Sequence, residues 1–337
     1  MTSPTIRLDI GSRLRDGRQL HRQEYVEKDK QKLGILRAGN SGIMSDSGNV
    51  AGSCHRVAHL RQLGIELDPP SPSSLIMFQV GTANEDIVYK DLLHTAAEDE
   101  VVLREEEIPI SWMTSNGTQV TGRPDMVICR KEWTADEKHG AQEKIVPVLG
   151  LELKSIASVW TTREVLVEGQ PKLAHLCQAG HYMWKLGVPF RMIYKQYSIQ
   201  AMPDFAKKMM PRQGKPGSEY LEYNPKGEPK SVKPFEIIYE LEYQSGTLCY
   251  RIEGTTNWTQ TIVRHEDIER YYEFISQMEK TQNLGPTPVT VGSDGKEKAY
   301  SNCGYCVLNN LCNPGRGVKR LGYIEWLAQV RKFVADR

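Results

Sequence analysis

Asp125, Glu152 and Lys154 are the residues of this 337-residue chain whose types and spacing suit hydrolytic chemistry. They stand in Gly122-Arg123-Pro124-Asp125 and Gly150-Leu151-Glu152-Leu153-Lys154. Alternate side chains of a strand share a face, so Glu152 and Lys154 point one way while Leu151 and Leu153 point into packing. Pairing this strand with the one around Asp125 brings two carboxylates and one ammonium together at a sheet edge. Two carboxylates can hold Mg²⁺ or Mn²⁺, hard cations that prefer oxygen ligands. An ion so held polarises a scissile phosphate and acidifies a bound water, while the lysine orients that water or offsets developing charge. The grouping suits phosphodiester hydrolysis. Taken alone, however, an E-x-K triplet reads as an ordinary cross-strand salt pair, because such triplets are common in any charged protein, and the surrounding chain has to decide.

The positioning elements follow from periodicity. Val120–Cys129 and Val146–Ile156 are apolar and β-branched, which predicts two strands, with charged Arg130–Lys144 as the loop of a hairpin. A helix over Ser73–Ala97 carries Gly81 and Glu85 on one face. Glycine inside a helix costs roughly 1 kcal/mol against alanine, so Gly81 suggests a close approach of backbone or ligand. Glu85 reads either as a third acidic group of the metal site or as a surface glutamate. A helix over Pro171–Leu186, ended by Gly187, sets Gln178 and Tyr182 one turn apart, where an amide and a phenol can hydrogen-bond phosphate oxygens or a base. Elsewhere the pattern predicts a helix from Cys54 to Gly64 with Ser53 as N-cap, a strand over Val188–Ile199, and a hairpin of Ile237–Tyr243 with Thr247–Ile252. Further helices are expected at Glu266–Lys280 and Tyr323–Ala335. Met202–Pro234 lacks periodicity and reads as a surface excursion. Its Lys207, Lys208, Arg212, Lys215, Lys226, Lys230 and Lys233 either line a path for a phosphate backbone or are simply solvated.

Composition sets outer bounds. A formal charge of +1 argues against coating nucleic acid by bulk electrostatics but leaves room for a local basic groove. There is no apolar run near the roughly 20 residues of a membrane span, and the polar start does not read as a signal peptide, so no membrane partner and a cytoplasmic location are expected. Residues Met1–Arg37 read as a weakly basic arm.

Seven cysteines without a secretion signal point to a reducing compartment. Cys129, Cys177 and Cys249 lie within apolar patterns and read as buried small hydrophobes. Cys303, Cys306 and Cys312 are spaced C-x2-C-x5-C, which can fold three thiolates round one centre, and Cys54 is the best-placed fourth ligand. Such a density favours an iron–sulfur cluster or Zn²⁺ over disulfides, and spacing alone does not choose between them. Either would staple residue 54 to the C-terminal region and contribute folding energy.

Taken together these motifs resemble the RecB-like branch of the PD-(D/E)xK nucleases. Gly81-x-x-x-Glu85, Gly122-Arg123-Pro124-Asp125, Glu152-Leu153-Lys154 and Gln178-x-x-x-Tyr182 occur in that family's order, bracketed by the cysteine frame of its iron–sulfur subgroup. The subgroup includes the CRISPR-associated Cas-four-type exonucleases and the nuclease domain of AddB. The resemblance spans about Ser41 to Gly315. It implies an α/β fold with a central mixed sheet flanked by helices. It implies Asp125 and Glu152 as Mg²⁺ or Mn²⁺ ligands with Glu85 beside them, Lys154 as the catalytic lysine, and Gln178 and Tyr182 at the DNA strand. It further implies a structural 4Fe–4S cluster on Cys54, Cys303, Cys306 and Cys312, with Zn²⁺ as the alternative. The expected organisation is an arm (1–37), a nuclease core (38–284, with 202–234 inserted) and a cysteine region with a terminal helix (285–337). The implied activity is metal-dependent exonucleolytic cleavage of DNA ends or single strands, with possible partners in recombination, replication, repair or CRISPR adaptation. Glu85 stands where many members of the subgroup carry histidine. No Walker A sequence is present, so the chain is not a helicase–nuclease fusion. The competing reading is a catalytically silent DNA-binding or assembly subunit, which has no physical need for the convergent Asp125, Glu152 and Lys154 charges. A sequence-specific endonuclease is disfavoured by the lack of a recognition domain.

Overall fold

Seven strands build the main sheet of the computed structural model: β1 (Glu100–Arg104), β2 (Met126–Asp136), β3 (Gly140–Ser155), β4 (Phe190–Gln196), β5 (Phe235–Gln244), β6 (Thr247–Ile252) and β7 (Thr259–Arg264). The structure describes residues 23, 24, 27, 34–65, 67, 71–136, 140–156, 159–196, 199–286, 289–291, 297–299, 306, 308–312 and 321–336. Across the sheet the order is β7-β6-β5-β4-β3-β2-β1, so spatial neighbours are also sequence neighbours. Only β3 and β4 run parallel; the other pairs are antiparallel. Parallel neighbours need a crossover. Two helices between β3 and β4 supply it, Val159–Leu166 and Leu173–Leu186.

The helices that matter for packing are α1 (His55–Gln62), α2 (Pro72–Thr95), α3 (Leu173–Leu186), α4 (His265–Thr281) and α5 (Tyr323–Ala335). Strand alternation gives the sheet two core faces. Leu151 and Leu153 join Met126, Val102, Ile193 and Val88 of α2 on one face. On the other, Phe190, Met192, Tyr194, Tyr239 and Leu241 pack with Leu176, Cys177 and Ala179 of α3 and with Ile268, Tyr271 and Tyr272 of α4. The result is a mixed α/β architecture, a large mixed sheet flanked by helices. A third cluster, containing Leu60, Met278, Leu308, Tyr323 and Trp326, binds α1, α4 and α5 together. No described helix is long and apolar enough to cross a membrane.

Several expectations are corrected. Val120–Cys129 is not one strand. Gln119–Gly122 pairs with Leu36–Arg37 and Ile110–Met113 in a separate sheet, and the chain turns through Arg123–Asp125 before β2 begins. The expected arm of residues 1–37 therefore ends in a docked strand, with Leu36 buried. The charged Arg130–Lys144 segment is not a loop either: β2 and β3 stay paired out to Asp136 and Gly140. Among its described side chains, Arg130, Glu132, Trp133, Gln142, Glu143 and Lys144 are exposed, so no apolar alternation marks these strands. Finally, Met202–Pro234 is more than a surface excursion. It holds a short helix and two strands, Leu221–Tyr223 and Pro229–Val232, that form a three-stranded sheet with Gln200–Ala201, and Met202, Ala206, Met210, Leu221 and Val232 join the main core.

Candidate active site

The register that sets Met126 opposite Leu151 brings Asp125 level with Glu152. Asp125 Oδ2 accepts the backbone N–H of Leu153 at 2.6 Å. From the next residue, Lys154 Nζ donates to Glu152 Oε1 at 2.5 Å and to Gln178 Oε1 at 3.2 Å. Gln178 Nε2 in turn donates to the Tyr182 hydroxyl at 3.4 Å, and that hydroxyl also accepts the Arg123 N–H at 3.2 Å. One set of contacts thus links three motifs that are far apart in sequence. Two glycines make it possible. A Cβ on Gly122 would lie 2.5 Å from Tyr182 Cε1, and a Cβ on Gly150 would lie 2.1 Å from the Phe190 ring.

The electrostatics are those of crowded negative charge. Glu152 is fully buried, and its Oε2 has no hydrogen-bond partner among the described residues. Burial, followed by the Asp125 charge, pushes its carboxyl up to about 8. Burial and then Asp125 likewise push Glu85 up to about 7, and burial raises Asp125 despite Lys154 and the Leu153 N–H. Burial alone would lower the Lys154 ammonium, but Glu152 and Asp125 outweigh it and hold it above its ordinary value. Three acidic groups therefore share one ammonium. Additional positive charge would relieve all three.

No group of three or more His, Cys, Asp or Glu side chains among the described residues is arranged to hold a metal ion. Mg²⁺ needs less, because one or two carboxylates suffice when water completes its shell. Asp125, Glu152 and the orphaned Glu152 Oε2 meet that need, so the donor set fits a hard divalent cation.

The structure places Glu85 on α2, near enough for Asp125 and Lys154 to act on it. Asn84, a buried residue the motifs do not mark, pins this helix to the end of β3 through Nδ2 to Ser155 Oγ at 2.6 Å. A polar, uncharged residue beside Glu85 was the available signal. Gly81 does not serve a close approach among the described residues, since a Cβ there would meet none of them within 4 Å. His175 also escaped the motif reading, although it lies three residues before Gln178 on the same face of α3. In the 202–234 segment, Lys207 pairs with Asp204 at 2.6 Å and Lys233 Nζ donates to the Glu219 carbonyl at 3.0 Å, whereas Lys208, Arg212, Lys215, Lys226 and Lys230 are exposed.

Of the four cysteines expected to form a centre, Cys303 lies outside the described residues. Cys54 is the N-cap residue of α1, in place of the expected Ser53, and Cys306 and Cys312 border the cluster formed by α1, α4 and α5. Burial pushes the Cys54 thiol up to about 11, and Cys312 and Cys306 are close enough to add to that rise. The same region is tied without metal. Arg56 donates to the carbonyls of Leu284, Gly285 and Cys312, His55 Nε2 lies 2.9 Å from the Leu284 carbonyl, and His59 Nε2 lies 2.9 Å from the Tyr323 hydroxyl. Cys129, Cys177 and Cys249 are buried, as their apolar surroundings predict.

No family model matches the chain, and neither a curated protein nor a solved structure matches it.

Proposed function

We propose that the chain is a Mg²⁺- or Mn²⁺-dependent deoxyribonuclease with a RecB-like PD-(D/E)xK core, acting as an exonuclease on DNA ends or single strands. The observation that carries this reading is the convergence of Asp125 and Glu152, the latter with a buried, unsatisfied Oε2, on the Lys154 ammonium. Asp125 and Glu152 would hold the ion, with Glu85 beside them. A bound divalent ion supplies Lewis-acid polarisation of the scissile phosphate and an acidified water.

The remaining work falls to the chain itself. Lys154 sits between Glu152 Oε1 and Gln178 Oε1. An ammonium there can orient the attacking water and offset charge developing on the phosphate. Gln178 is half-buried and presents its amide beside Lys154, which suits a contact to the strand near the cut. Tyr182 is only 2% exposed and its hydroxyl is already engaged by Gln178 and the Arg123 N–H. Its part is to hold Gln178 and the Arg123–Asp125 turn in place, not to touch DNA as the motif implied.

Cys54, Cys306 and Cys312, completed by Cys303, would hold a 4Fe–4S cluster, or Zn²⁺ in its stead. The shared neighbourhood of the three described thiols supports this reading. Such a centre would reinforce the Arg56 and His55 contacts that already join α1 to residues 284–312.

The test is cleavage of end-labelled single-stranded and duplex DNA with Mg²⁺ or Mn²⁺, wild type beside Lys154→Ala. Metal-dependent laddering from one end, lost in the variant, is the expected result. Absence of cleavage by protein carrying its full metal complement would turn the reading to a silent DNA-binding or assembly subunit.

A further inference from the structure

We propose that His175 is a strand-binding residue of the same site, donating its Nε2–H to a non-bridging phosphate oxygen of the bound DNA; the proposal rests on the nuclease reading above. Tyr194 is fully buried in the sheet, and its hydroxyl accepts the Lys172 backbone N–H at 3.0 Å. The phenol proton needs an acceptor, and His175 Nδ1 stands 2.8 Å from the oxygen. That hydrogen bond makes Nδ1 the acceptor, so the single proton of the neutral imidazole resides on Nε2. Burial, together with the Lys154 and Lys172 ammonium groups, keeps the ring neutral.

The locked donor has nothing to donate to inside the protein. Nε2 makes no hydrogen bond among the described residues and is not one of the polar atoms sealed from solvent. Its position is fixed relative to the reacting groups. His175 is one turn before Gln178 on α3, Gln178 contacts Lys154, and Lys154 is the parallel register partner of Tyr194. A half-buried, neutral N–H donor beside Lys154 suits a phosphate oxygen. Held as a donor, it cannot accept from the amino group of a base. No motif marks the residue, because only the Tyr194 hydrogen bond orients its ring.

The contact differs from a lysine or arginine contact in one measurable way. Losing a neutral donor removes affinity without removing a charge, so the dependence of log K on log salt keeps its slope. Binding of single-stranded DNA, measured with Ca²⁺ across a salt series, is therefore compared for wild type, His175→Ala, His175→Gln and Tyr194→Phe, alongside steady-state cleavage with Mg²⁺. His175→Ala should weaken binding and raise KM on the order of 3- to 10-fold, with kcat little changed and the salt slope preserved. His175→Gln, which keeps an N–H donor, should recover part of the loss. Tyr194→Phe, which frees the tautomer, should show a smaller loss in the same direction. An unchanged KM in folded His175→Ala or folded Tyr194→Phe overturns the proposal, as does a salt slope reduced by about 1, the signature of a lost cation. Wild-type protein that neither binds nor cleaves DNA overturns the nuclease reading itself, whereas cleaving wild type with an indifferent His175→Ala overturns only the His175 contact.

Discussion

The ring of Tyr182 occupies the space that a side chain on Gly122 would need, with Cε1 only 2.5 Å from where a Cβ would lie. Ala38 Cβ closes the same space at 2.8 Å. The glycine of one motif is therefore required by the tyrosine of another, and through the Tyr182 hydroxyl the pair fixes both the Arg123 backbone and Gln178.

Gly122→Ala should consequently destabilise the protein by about 1–3 kcal/mol, the usual range for overpacking a core. Cleavage should fall more than the loss of folded protein explains, because Gln178 and the Asp125 turn move with Tyr182. Urea unfolding together with cleavage rates at a temperature where the variant is fully folded checks both parts. A variant with wild-type midpoint and rate would show that the ring has room to move.

Lys154→Ala should reduce cleavage about a hundredfold or more, the scale seen when a preorganised electrostatic group is removed. The fold should persist, because Glu152, already pushed up to about 8 by burial and Asp125, can become protonated once its ammonium is gone. Single-turnover rates and circular dichroism of the variant decide the matter; retained turnover would remove Lys154 from the mechanism.

Acid should destabilise the protein through two stacked histidines. His181 is fully buried, 3.8 Å between ring centroids from Trp112 and 5.6 Å from His265, and neither of its ring nitrogens has a hydrogen-bond partner among the described residues. His265 stacks on Trp184 at 4.0 Å, with Glu269 3.8 Å away. Burial, then His265 and Lys185, lowers His181 well below 6.5; burial and then Lys185 lower His265 to about 3. Both rings are therefore neutral in the folded state, whereas the unfolded chain takes up their protons near 6.5. Protons bound only by the unfolded state stabilise it, so folding stability is fully present above about pH 6.5 and is lost progressively as pH falls toward 3. The raised Glu85 and Glu152 carboxyls act in the opposite sense over the same range. The histidine part is therefore read as a difference: in urea midpoints across pH 4–8, His181→Phe should lose less stability toward acid than wild type. An identical slope in that variant would place the acid sensitivity elsewhere.

Arg56→Ala should cost about 2 kcal/mol, since one guanidinium satisfies the carbonyls of Leu284, Gly285 and Cys312. Cys306→Ala should also lower the thermal midpoint, but with a fall in bound iron or zinc that Arg56→Ala does not share. Metal analysis beside thermal unfolding separates the two. Unchanged metal content and stability in Cys306→Ala would remove the cysteine from any centre.

Local pattern alone determined much of the scaffold. The β5–β6 hairpin, α3 with its end at Gly187, α4 and α5 all lie where apolar period and turn residues place them. The facing of Glu152 and Lys154 is equally local, because alternation in a strand does not depend on what the strand packs against. Tertiary structure decided the rest. The break at Arg123–Asp125 exists because Gln119–Gly122 pairs with Leu36–Arg37, a partner far away in sequence. Residues 202–234 pack through Met202, Met210, Leu221 and Val232, whose irregular spacing matches a surface made by other elements and no internal period. The same holds within the candidate site. Asn84, Arg56 and His175 are ordinary polar residues until Ser155, the Leu284–Gly285 carbonyls and Tyr194 are brought to them. A side chain's local period is written in its neighbours along the chain, whereas its hydrogen-bond partner is chosen only when distant segments meet.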